Sequence, residues 1–152
     1  MATTSRVKVD GLQKLGVAMR GLSKDMAGKV ARAATGAGAK PIKKAAVRNI
    51  ETSPSIDTRA LHDNVIVKSI PKGEREFSSE HIVTVRGRGK KVKHKDGHVT
   101  RNQGAPHAHF VEFGTVNMPA EPFLQPAYEH EKGEALNEIT RKLAQRIEKV
   151  KP

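Results

Sequence analysis

Apolar residues recur at three- and four-residue spacing near the start of the chain: Leu12, Leu15, Met19, Leu22, Met26, Val30 and Ala33. This is the stripe of an amphipathic helix. Lys14, Arg20, Lys24, Lys29 and Arg32 fall mostly off it. Asp10 stands where a helix N-cap would sit, with an oxygen for the exposed backbone N–H groups. Ahead of it, Arg6–Val9 alternates like a short strand. Gly36, Gly38 and Pro41 then disturb the helical pattern. Pro41 has no N–H to donate to the carbonyl of residue 37 and clashes with it, so the pattern predicts a kink or break there. Residues 41–50 resume as a second helical piece, with proline suited to its first turn. Residues 51–58 read as a loop.

From residue 61 the period changes. Residues 62–71 and 80–87 are rich in β-branched side chains and bounded by Pro and Gly, which predicts two strands. Residues 87–105 hold almost no apolar side chains and read as a mobile basic loop or long hairpin inserted between strands. Residues 107–115 read as a third strand. Three prolines within 117–126 exclude regular structure there. A final helix follows from Pro126 to about Val150, with Leu136, Ile139, Leu143 and Ile147 on its stripe. Its acids lie early and its cations late, which complements the helix dipole. The expected fold is a single α+β domain over 1–152. An antiparallel sheet of three to four strands packs on a long N-terminal helix, kinked or broken near Pro41, and on a C-terminal helix.

Composition adds a constraint. Aromatics make up only 3% of the chain, so the core is expected to be thin. Yet residues 109–129 hold three of the four Phe, the only Tyr and three of the eight prolines. No cysteine is present, which removes disulfides and thiolate chemistry and fits a reducing cytoplasm. No apolar run approaches the ~20 residues of a membrane span, and the N-terminal residues lack a signal-type hydrophobic segment.

The net charge is +12, and it is unevenly placed. Residues 1–50 carry eleven Lys/Arg against two acids, and residues 86–101 carry seven against one. Such zones attract polyanions or acidic protein faces. In the second zone, Arg86, Arg88, Lys90, Lys91, Lys93, Lys95 and Arg101 are the candidate contacts. A non-specific nucleic-acid-binding protein is therefore one reading, with steeply salt-dependent affinity as its signature. Sequence-specific readout is not indicated: there is no recognition-helix pattern, and no aromatic platform interleaves the charges.

Candidate chemistry is sparse. His107 and His109 share a face of the expected strand, and His94 and His98 lie in the Gly-rich loop, but zinc needs three or four fixed ligands. Glu112 alternates with Val111 and Phe113, as a buried base or a solvent- or subunit-facing residue would. No nucleophile elbow, P-loop or dinucleotide fingerprint occurs. The reading is a non-enzyme with no catalytic residues, metal, cofactor or small-molecule substrate.

Two motifs stand in order: Val111–Thr115, "VEFGT", and Pro119–Ala127, "PAEPFLQPA". Together they resemble the small neck or tail-completion proteins of long-tailed phages, the gene-product-ten-like family of lambdoid siphophages. Val9–Met19, with Gly11-Leu12-x-x-Leu15, and Gly38–Ala46 resemble that family's opening helix and second helical piece. Thr58-Arg59-Ala60-Leu61 stands where the family carries Thr-Gly-x-Leu. The resemblance implies a structural protein of the virion neck, assembled in the bacterial cytoplasm as copies around the tail axis. Its expected partners are other copies, head-completion, tail-terminator or tail-tube proteins, and genomic DNA in the channel. Phe110, Val111, Phe113, Gly114, Thr115, Pro119, Pro122, Phe123, Leu124 and Pro126 are the expected anchors of fold and interface.

Overall fold

The computed structural model describes residues 12–22, 24–53, 58–70, 79–89, 91–93, 99–101 and 104–149. Arg6–Val9 and Asp10, much of the 51–58 and 72–80 connections, and Lys90, His94, Lys95 and His98 lie outside the described residues. The elements run α1 (Leu12–Arg20), α2 (Lys24–Thr52), α3 (Thr58–Asn64), β1 (Val65–Ile70), β2 (Glu80–Val85), β3 (Lys91–Lys93), β4 (Val99–Arg101), α4 (Ala108–Phe113) and α5 (Leu124–Glu148). They form two compact units. One comprises Met1–Pro41, Ser69–His81 and Lys132–Pro152; the other comprises Ile42–Lys68 and Ile82–Glu131.

The chain is α+β with a long N-terminal and a long C-terminal helix, but three local expectations change. The helical stripe breaks at Gly21 rather than at Pro41. Gly21 N–H and Leu22 N–H donate to the Ala18 and Met19 carbonyls, i→i−3 bonds that tighten and end α1. Helix α2 continues through Pro41 without a break. Proline deletes the one bond its nitrogen would make to Ala37, while Ala34 and Ala39 before it and Ala45, Ala46 and Ile50 after it are buried. Tertiary burial therefore outweighs the local cost. Among the described residues the sheet is not three- to four-stranded: β1 pairs with β2, and β3 separately with β4. The third expected strand, 107–115, is instead α4 and a turn.

In the first unit, α2 buries Ala27, Val30, Ala34 and Ala39, and α5 buries Ala135 and Ile147. Small side chains let the two helices approach closely at Gly38. A Cβ there would lie 2.5 Å from Ile139 Cγ1 and 2.8 Å from the Ala135 carbonyl oxygen. The isoleucine can shift, but the backbone oxygen cannot. Gly38→Ala is therefore expected to lower stability by about 1–2 kcal/mol, overpacking exceeding the gain in helix propensity. A urea midpoint that rose instead would show that the helices can separate freely. In the same unit Thr35 Oγ1 lies 3.0 Å from Ser79 Oγ and 2.9 Å from His81 Nδ1, joining α2 to the start of β2.

In the second unit, Ala45, Ala46, Ile50, Leu61, Val65, Phe123 and Ala127 form the core. Val83, Val85, Ala105, Ala108, Val111 and Leu124 pack on it. Arg86 N–H donates to the Asn64 carbonyl at 2.8 Å, so the end of β2 lies beside the start of β1, as in an antiparallel pair. The end of α2 and α3 are joined at the surface by His62. Its Nδ1 lies 3.0 Å from Asp63 Oδ1 and its Nε2 3.1 Å from Glu51 Oε1. A neutral imidazole has one N–H and can serve one carboxylate; the imidazolium serves both. The hydrogen bond to Asp63 first, and Glu51 after it, raise the His62 pKa above its ordinary 6.5 against a smaller opposing effect of burial. The resulting stability is complete below pH 6.5 and is lost as pH rises through the elevated native pKa. Because the pair is solvent-exposed, the contribution is expected to be about 0.5 kcal/mol. Urea melts of the native chain and His62→Ala on either side of that range measure it; a difference that grew with pH would reverse the assignment.

Candidate functional site

The segment richest in aromatics folds as a helix, a turn and a helix start, all in the second unit. Six residues with contiguous apolar positions suit strand or helix equally by pattern. Helical geometry wins here: Pro106 precedes the first turn, and Phe110 N–H donates to the His107 carbonyl at 2.9 Å. Helical spacing turns Val111 and Glu112 inward, while Phe110 and Phe113, three apart, stay exposed.

Glu112 is buried, at 8% exposure, and its carboxylate is fully engaged. Oε2 accepts from the N–H groups of Phe123 and Leu124, and Oε1 from that of Gln125, each at 2.9 Å. A helix leaves its first N–H groups without internal partners and concentrates positive potential there. Glu112 supplies the anion, and Pro126, next in line, has no N–H to satisfy. The junction is stitched further. Glu121 N–H donates to the Val111 carbonyl at 2.8 Å. From α2, Asn49 Nδ2 donates to the Phe123 carbonyl at 3.0 Å, and just past its end Ser53 Oγ donates to Glu121 Oε2 at 2.6 Å. A carboxylate so occupied holds the fold together and is not free to act as a general base.

Between the helices the chain makes a stiff tip. Gly114 has φ 74° and ψ 179°, a region only glycine enters cheaply. A Cβ there would meet Ala120 N at 2.8 Å and the Met118 carbonyl oxygen at 2.9 Å. Thr115 and Met118 bridge through paired backbone bonds of 2.8 and 3.3 Å, presenting Val116 and Asn117 at the turn. The tip is uncharged and carries three exposed apolar side chains: Phe113 is 79% exposed, Val116 fully exposed and Met118 40% exposed.

The expected anchors thus divide. Phe123 is in the core, Val111 and Leu124 pack on it, and Gly114 and Thr115 shape the turn. Pro119 and Pro122 are exposed and Pro126 half-buried. Phe110 and Phe113 lie at the surface. Sequence reasoning missed the partners of Glu112. The available signal was a carboxylate flanked by apolar residues, upstream of a helix start whose prolines leave few capping side chains.

Three exposed rings meet at the start of α4, His107 from the residue before it. His109 and Phe110 have centroids 4.0 Å apart at 50°, and His107 stacks on Phe110 at 5.7 Å and 9°. Nearby is the foot of the basic segment. Ala105 N–H donates to the Arg86 carbonyl at 3.1 Å, and Gly104 packs against the backbone of Gly87, Arg88 and Gly89 so closely that a side chain would not fit. Beyond the foot, β3 and β4 pair antiparallel with Lys91 opposite Arg101 and Lys93 opposite Val99. Arg88 and Lys91 are exposed and Arg86 is half-buried. Among the described residues no three His, Asp or Glu side chains gather to hold a metal ion, and no helix is long and apolar enough to cross a membrane.

No curated protein and no solved structure matches the chain. A family model does, over residues 13–114, which run from α1 through the basic hairpin to the glycine that ends α4. That span is two-thirds of the sequence, and the chain belongs to the family described as Bacteriophage HK97-gp10, putative tail-component.

Proposed function

We propose that this phage tail component completes the tail of a long-tailed phage and joins it to the DNA-filled head. It acts as a non-enzymatic subunit of the virion neck, assembled in the host cytoplasm in several copies around the tail axis. The family match over residues 13–114 carries this reading. The tip supports it: Phe113, Val116 and Met118 are apolar, exposed and held by Gly114 and the Thr115–Met118 bridge. A contact element that is already rigid loses little conformational entropy on docking. Copies around an axis meet head to tail, so each needs two unlike surfaces. In this reading the tip is one, offered to the next copy or to a head-completion, tail-terminator or tail-tube protein.

Electron microscopy of lysates from a phage lacking this gene tests the role. DNA-filled heads lying apart from tails, or tails of abnormal length, are expected; intact infectious particles would reject it. Complementation with Val116→Asp tests the tip. Val116 is fully exposed, so the variant should fold, yet fail to restore joined particles. Normal restoration would remove the tip from the interface.

A further inference from the structure

Sequence order separates the rings of α4 from the cations of the hairpin, and folding brings them to one place. The paired backbone at Arg86 and Ala105 closes the hairpin foot. Pro106 Cα lies 3.7 Å from where a Cβ on Gly87 would stand. His107 is the next residue, one Cα step of ~3.8 Å away. The cluster of His107, Phe110 and His109 therefore begins beside the Arg86–Arg88 segment that follows β2. Phe110 is 41% exposed and both imidazoles are exposed, so ring surface is accessible to a ligand.

The charge around them is one-sided. From His81 to Ala120 the sequence has seven Lys/Arg and two acids, Asp96 and Glu112. Glu112 is buried and consumed by the start of α5. Exposed rings that stack on bases, next to flexible cations that meet phosphates, are the two parts of a single-strand site. Duplex DNA offers the phosphates but keeps its base faces internal, so the rings would add nothing to its binding.

We propose that the second unit binds single-stranded nucleic acid, with the His107–Phe110–His109 ring cluster as the base platform and Arg88 and Lys91 as phosphate contacts. The site uses different side chains from the Phe113–Met118 tip and does not depend on the tail reading.

The test is fluorescence anisotropy of the full chain with labelled oligothymidylate of about 16 nucleotides, near the upper site size of single-strand-binding folds. A duplex of equal length is the comparison, and both are titrated across salt. At equal salt the single strand should bind at least ~10-fold more tightly than the duplex. Combining His107→Ala with Phe110→Ala should weaken single-strand binding about tenfold and leave the salt slope unchanged, whereas Phe110→Trp should retain it. Replacing Arg88 and Lys91 together with alanine should reduce the logarithmic salt slope by about 1.4. His107→Ala with His109→Ala, at two exposed positions, gives a second ring variant should Phe110→Ala fail to fold. Equal affinity for duplex and single strand, unaffected by the ring changes, would overturn the proposal in favour of a charge-only polyanion surface. No binding of either probe at low salt, with ring variants that alter sedimentation, would overturn it in favour of a protein interface.

Discussion

Replacing Phe123 with alanine is expected to lower the stability of the chain by about 4 kcal/mol, the largest single effect in the molecule. The ring is 1% exposed, and its cluster is built largely of small residues: Ala45, Ala46 and Ala127 beside Ile50, Leu61 and Val65. With three alanines in the cluster, one ring supplies much of the volume. Those alanines belong to α2 and α5, so the walls cannot close in without moving whole helices. The cavity should remain open, which sets the cost toward the upper part of the range for Phe→Ala. A domain of this size typically has only ~5–15 kcal/mol in total. Urea denaturation should show a lower midpoint with an unchanged slope. Phe123→Leu, which retains most of the volume, should cost about 1.5 kcal/mol or less. A loss below about 1 kcal/mol for alanine would mean that the ring does not fill a dry core.

The long helices were legible because their apolar stripes extend over many turns. Val30 and Ile147, both on those stripes, are buried. Pro41 misled because local propensity is a weak prior, and burial on either side of it holds α2 together. The short aromatic segment was misread for a different reason. Alternation at Phe110, Val111, Glu112 and Phe113 cannot be told from one and a half turns of helix. Reading it as helix changes the surface as well as the label, because Phe110 and Phe113, three apart, both come out exposed, Phe113 at 79%. The rings gathered on Phe110 were illegible for the same reason: His107 and Phe110 meet only at helical spacing. The chemistry of proline kept Pro119 and Pro122 out of regular structure as read, but α5 begins at Leu124 and takes Pro126 into its first turn, where the missing N–H costs little.

Glu112→Ala is expected to cost about 3 kcal/mol, although it removes no apolar packing of consequence. The argument rests on what remains behind. Three N–H groups, on Phe123, Leu124 and Gln125, would lose an anionic acceptor at the end of a 25-residue helix. Bonds to a charged group contribute about 1.5–3 kcal/mol each when measured singly, but three to one carboxylate are not additive. Water also reaches the partly buried Leu124 and recovers some of the loss. Glutamine is the sharper probe because it keeps the shape. Its single carbonyl oxygen can serve one side of the junction, while its NH2 group faces N–H donors on the other and repels them. Glu112→Gln should therefore cost about 2 kcal/mol, most of the alanine effect, with almost no change in volume. Hydrogen exchange separates this account from a general loosening. The three amides should exchange faster in either variant even where the buried middle of α2 stays protected. If their exchange were unchanged, the carboxylate would not be what holds the start of α5, and the glutamate of the "VEFGT" motif would need another role.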